Sequence, residues 1–260
     1  MSLFFSRDHL STDMVKASYS AGKPAIGVGS GNAPILVDET SDVLQACGSI
    51  ILGKTFDNGV ICAAEQSVVA VDAVYDELKE LMQGRGVHFL LGDERDKLAA
   101  FIQKDGRINP KIVGQSAHEI ALRAHLSPIP ANTVVLATEE TTVGEDNPLS
   151  KEKLCPVIAL YRASNFDDGV QLCRALALNG GVGHTAGMYT SSKNLMEMKR
   201  REEVFLREVP VHRVLVNMPT SIAAIGTAFN FAIDPSLTLG VGTEGKFRWF
   251  SRSLVVVLSK

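Results

Sequence analysis

The sequence predicts an α/β fold built on a mostly parallel, open sheet flanked by helices. Short β-branched runs recur along the chain, and most are followed by stretches whose apolar residues return every three or four positions. The changes of period fall at Gly, Asn, Asp or Pro, where strands and helices are expected to end. With 260 residues, 45% hydrophobic and 21% charged, the composition is that of a globular protein with an adequate core. The length accommodates one large domain or two small ones.

Ile35-Leu36-Val37 is the first short strand, closed by the capping cluster Asp38-Glu39-Thr40-Ser41-Asp42. Val43, Cys47, Ile50 and Ile51 then share a helix face. Ser67–Val71 reads as a buried strand. Val74, Leu78, Leu81 and Met82 follow as an amphipathic helix that stops near Gly84 and Gly86. Residues 98–102 and 120–126 have helical character, and Thr133–Ala137 and Val157–Tyr161 read as strands. Val170, Cys173 and Ala177 form a helix face ended by Gly180-Gly181, with further strands at Met188–Thr190 and Val214–Val216.

The net charge of −3, without a basic stripe, argues against a nucleic-acid partner. Lys199-Arg200-Arg201, followed by Glu202-Glu203, reads as a solvated helix face. No apolar run approaches the roughly 20 residues of a membrane span. The first residues lack the basic-then-apolar pattern of a secretory signal. Cys47, Cys62, Cys155 and Cys173 are far apart, which points to reduced thiols in a cytoplasmic protein. Neither cysteines nor histidines have metal-ligand spacing, so no metal is expected.

Three segments carry candidate chemistry. Gly27-Val28-Gly29-Ser30-Gly31-Asn32 allows a close backbone approach, but a dinucleotide fingerprint needs glycine where Asn32 stands, and Pro34 prevents an immediate helix. A phosphate loop and a structural turn both remain open. Phe56–Ser67 places Cys62 after the turn-forming Asn58-Gly59 and just before a buried strand, with small neighbours Ala63 and Ala64 that leave room for a substrate. Cys62 reads either as a nucleophile or as a small buried hydrophobe; Cys47, Cys155 and Cys173 read as core. Gly180-Gly181-Val182-Gly183-His184-Thr185 can present His184 as a base or simply end a helix. Glu152 alone reads as a surface charge.

Together these segments resemble the CoA-acylating aldehyde dehydrogenases, and especially the aldehyde dehydrogenase half of the bifunctional aldehyde–alcohol dehydrogenases. Residues 22–34 resemble the approach to the catalytic domain, and Thr55–Val68 the nucleophile segment. Glu152–Pro156, Gly183–Thr185, Val216–Pro219 and Pro235–Gly240 follow in the family's order. The resemblance runs from about Met14 to Gly242. It implies Cys62 as the nucleophile that forms a thioacyl intermediate, its backbone N–H as an oxyanion donor, and His184 as a base. It also implies Glu152 on the nicotinamide ribose and Gly29 close to the cofactor. NAD is then the cofactor, CoA the co-substrate, a small aldehyde the substrate, and the enzyme a cytoplasmic homo-oligomer.

Val28 stands where hydrolytic relatives carry a glutamate base, which favours acyl transfer to CoA over release of an acid. The family's cofactor domain lies mostly before Met14, and Ser11-Thr12-Asp13 lacks the expected glycine turn. The expected organisation is therefore 1–40 as a remnant of the NAD-binding domain, 41–242 as the catalytic domain, and 243–260 as a divergent tail. Two other readings are a non-catalytic α/β fragment serving assembly and a redox module using Cys62.

Overall fold

The computed structural model describes Ser20 and residues 30–104, 106–191 and 193–226. Seven strands form one sheet in the order β3-β6-β7-β2-β1-β8-β9: β1 (Ala33–Val37), β2 (Glu65–Val71), β3 (Val87–Phe89), β6 (Val135–Glu139), β7 (Val157–Ala163), β8 (Thr185–Tyr189) and β9 (Arg213–Val216). Every pairing in it is parallel. The central strands β1 and β2 are buried along their whole length, as a sheet covered on both faces requires. The β1–β2 register shifts at Ala33/Pro34, where proline has no N–H to give to the ladder.

The helices are α1 (Val43–Thr55), α2 (Asp72–Gly84), α3 (Gly92–Ile102), α4 (Ala117–Arg123), α5 (Phe166–Leu176), α6 (Leu195–Glu208) and α7 (Thr220–Ile225). The expected caps are made: Asp42 accepts from the Gln45 N–H and Asn165 from the Asp168 N–H. Connections through α1 and α2 cross the sheet in one direction, and those through α5 and α6 cross in the other. Right-handed crossovers therefore put the two pairs on opposite faces.

Several boundaries differ from expectation. Thr133 bonds back to Pro130 in a turn, so β6 begins at Val135. Helix α4 ends at Arg123 because His125 takes a φ of 53°. The short β3 and the hairpin β4 (Gln103–Lys104) with β5 (Arg107–Ile108) were not anticipated, since two or three residues carry no period. Ala63 and Ala64 are buried and pack into the interior. Arg201 and Glu202 are buried rather than solvated. The Arg201 guanidinium pairs with Asp38 at 2.9 Å, Glu39 at 2.6 Å and Glu197 at 2.9 Å.

Strand β1, within the segment expected as 1–40, lies between β2 and β8 in the sheet. The remainder of the segment before residue 30, Ser20 apart, and the expected tail 243–260 lie outside the described residues.

Candidate active site

Because the strands run parallel, the residues that precede them gather at one edge of the sheet. Ser30–Asn32 precede β1, Cys62 precedes β2, Glu152–Cys155 precede β7, His184 precedes β8, and Arg213 opens β9. The segments picked out separately in the sequence thus meet at the amino edge.

Cys62 follows a tight turn at Phe56–Gly59 in which Asp57, Asn58 and Gly59 take φ of 49°, 49° and 71°. Three successive left-handed residues, two with side chains, make a costly backbone that its surroundings must hold. The Asn58 amide donates to the Gly114 carbonyl at 3.1 Å. A Cβ on Gly59 would come within 2.8 Å of the Cys155 carbonyl oxygen, so glycine is required there by both conformation and space.

Behind Cys62 stands Gly31. A Cβ on Gly31 would fall 1.8 Å from the Cys62 carbonyl oxygen, so the two backbones touch. The Gly31 N–H donates to the Glu152 carboxylate at 2.7 Å. Asn32 explains the missing sixth glycine: its buried amide donates to the Ser150 and Leu176 carbonyls, each at 2.8 Å. The Ser30 hydroxyl donates to the Gly180 carbonyl at 2.8 Å, tying in the third segment. Of the expected site residues, Cys62 and Glu152 are therefore joined through Gly31. Gly29 and Val28 lie outside the described residues.

The Cys62 thiol is half-buried and free. Burial raises its pKa, and the Glu152 charge raises it further. The Arg213 guanidinium and the backbone N–H groups of Cys62 and Ala63 pull it back down. Glu152 is buried, not on the surface, and desolvation lifts its carboxyl to about 7 against the Gly31 hydrogen bond and the Lys54 and Lys153 charges. His184 is buried as well; desolvation, then Arg213, push its imidazole down to about 4, leaving it neutral at pH 7. Its Nδ1 lies 3.1 Å from the Thr185 hydroxyl. The charge of Arg213 acts on both Cys62 and His184, which sets the three in one neighbourhood.

Arg213, Gly31, Lys54, Lys153, Glu65 and Gln66 were not singled out from sequence. The usable signal was a Glu-Gln pair heading a buried strand; the lysines gave none. Among the described residues, no group of three or more His, Cys, Asp or Glu could hold a metal ion, and no helix is long and apolar enough to cross a membrane.

Over 234 residues the chain is 47% identical to the aldehyde-alcohol dehydrogenase of Clostridium acetobutylicum, covering 89% of this chain and 26% of that one. It is 37% identical over 233 residues to the acetylating succinate-semialdehyde dehydrogenase of Clostridium kluyveri, covering 89% and 49%. The fold superposes on an acetylating aldehyde dehydrogenase from Geobacillus thermoglucosidasius with a TM-score of 0.81 at 35% identity, over 90% of this chain and 50% of that one. The chain is a homologue of the acylating aldehyde dehydrogenases. It spans about a quarter of the length of the bifunctional relatives and about half that of the monofunctional ones. No family model matches it. A propionaldehyde dehydrogenase from Rhodopseudomonas palustris, 25% identical with a TM-score of 0.72, was solved with bound CoA and an acylated cysteine.

Proposed function

We propose that the amino edge of the sheet is the catalytic part of an NAD-dependent CoA-acylating aldehyde dehydrogenase with Cys62 as nucleophile. The observation that carries this reading is the contact chain Cys62–Gly31–Glu152, in which the backbone of a residue with a half-buried thiol touches the glycine whose N–H orients a buried carboxylate. The Cys62 thiolate attacks the aldehyde carbonyl carbon and forms a thiohemiacetal, while the backbone N–H of Cys62 donates to the developing oxyanion. The residues fit a nicotinamide nucleotide: Glu152 offers a sugar hydroxyl an acceptor already aimed by the Gly31 N–H. When bound, that group supplies the hydride acceptor that turns the thiohemiacetal into a thioester.

The CoA thiol then attacks the thioester carbon. Its sulfur–carbon bond forms, the bond to Cys62 breaks, and the Cys62 thiolate is regenerated. His184, uncharged at neutral pH, is the acceptor for the CoA thiol proton. Val28 supplies no base for water, which favours this step over hydrolysis. The family resemblance further assigns Gly29 to the cofactor side and residues 41–242 to the catalytic domain. Four free thiols suit a cytoplasmic enzyme, and the family resemblance implies a homo-oligomer.

The test follows NADH formation from acetaldehyde and NAD with and without CoA, beside Cys62→Ala. CoA-dependent turnover lost in the variant supports the reading. Acid production that needs no CoA would overturn it.

A further inference from the structure

Beneath Cys62 lies a buried set of charges that the proposed reaction does not use. Lys54, Glu65, Gln66 and Lys153 are all fully buried, on three different stretches of chain. Gln66 is their hub. Its side-chain carbonyl accepts from the Lys54 ammonium at 3.2 Å and from the Lys153 backbone N–H at 3.1 Å. Its main-chain carbonyl accepts from the Lys153 ammonium at 2.9 Å, and that ammonium also donates to the Lys151 carbonyl at 2.8 Å.

These bonds close a ring. Cys62 touches Gly31, Gly31 holds Glu152, Glu152 is followed by Lys153, and Lys153 is bound at backbone and side chain to Gln66, four residues beyond Cys62. The Glu152 stretch needs such a hold, because Leu154 takes a φ of 48°, which few residues with side chains adopt.

We propose that Gln66 is a positioning residue which, through Lys153, clamps the Glu152 carboxylate onto the Gly31 N–H behind Cys62 and so sets how its charge bears on the thiol. Burial supports this, since charges in a desolvated pocket interact far more strongly than in water. The direction also agrees: after burial, the Glu152 charge is what holds the Cys62 thiol up. Releasing the clamp therefore lets Glu152 move away and makes Cys62 more reactive. The value of the clamp to catalysis rests on the proposed function. Its existence is tested without aldehyde, CoA or nicotinamide, so the two can fail separately.

The experiment measures alkylation of Cys62 by iodoacetamide at pH 8 in the chain itself, read by peptide mass spectrometry. The variants are Gln66→Met, Glu152→Gln and their combination, each checked for a cooperative thermal melt. Glu152→Gln is expected to alkylate several-fold faster, since removing the carboxylate charge lowers the Cys62 thiol and raises its thiolate fraction. Gln66→Met should give a smaller gain of the same sign, and the double variant no more than Glu152→Gln alone. Lys54→Met/Gln66→Met, in which a cation and its acceptor leave together, replaces Gln66→Met if that variant fails to fold. Unchanged alkylation in a folded Gln66 variant, additive gains in the double, or loss of folding in both Gln66 variants would overturn the proposal.

Discussion

The two edges of the sheet bury charge in opposite ways. At the carboxyl edge, Arg201 on α6 meets Asp38 and Glu39 just after β1, with Glu197 one helical turn away and the Phe166 ring beneath. Hydrogen bonds from arginine pull Glu197 down to about 2 and hold Glu39 low, so each group becomes more firmly charged. At the amino edge, desolvation wins. Glu65 and Glu152 rise to about 7, while Lys54 and Lys153 fall to about 8 and 7. A direct carboxylate–guanidinium pair stabilises the charged forms of both partners, whereas charges bonded mainly to amides and carbonyls stay close to neutrality. The first arrangement serves stability. The second leaves protonatable groups titrating near pH 7 at the edge that holds the proposed site.

The contrast is broken most severely by Gly31→Ala. Its Cβ overlaps the Cys62 carbonyl, so Cys62 must shift, and a displacement of ~1 Å can cost the proposed acyl transfer about 100-fold. Measured acylation of Cys62 from an acyl-CoA should fall by that order. The overpacking itself should cost about 1–3 kcal/mol in a denaturant melt. Arg201→Ala should do the reverse. Stranding the fully buried Asp38 costs about 2–4 kcal/mol, tempered by the half-exposed Glu39 and Glu197, while Cys62 acylation stays near wild type.

The pH dependence sharpens the comparison further. Lys153 is depressed from 10.5 to about 7, so its contribution is complete above the unfolded value and lost as pH falls through about 7. Glu152 is raised from 4.5 to about 7, so its contribution is complete below the unfolded value and lost as pH rises through about 7. These groups therefore give a shallow stability minimum near pH 7. Thermal melts from pH 5 to 10 should show Lys153→Met flattening the alkaline limb and Glu152→Gln the acidic one. The smallest effect belongs to Arg162→Ala. Its pairs with Asp72 and Asp76 are exposed, and neither the melt nor Cys62 acylation should change measurably.

Much of this was legible in the sequence, unevenly. β1, β2, β7 and β9 announce themselves because a parallel sheet covered on both faces needs uninterrupted β-branched runs. Cys62 stood out through the motif around it, and Glu152 only through the family resemblance. The contact that joins them did not, because Gly31 and Glu152 are 121 residues apart and nothing local marks the pairing. Arg201 was misread for the same reason: a charge run suggests solvent unless the distant Asp38 is known to await it. Lys153 and Gln66 were invisible as a pair, since 87 residues separate them and either alone resembles a surface group. Periodicity reports which face of an element is apolar. It says nothing about which isolated polar residues satisfy one another inside.

The central claim is that the amino edge transfers acyl groups through Cys62. The most direct measurement incubates the chain with an acyl-CoA and maps the peptides by mass spectrometry, which needs no nicotinamide. The account predicts one acyl group in thioester linkage on Cys62, released by added CoA and absent from Cys62→Ala. A chain that stays unmodified, or one acylated equally on Cys47, Cys155 or Cys173, would contradict it.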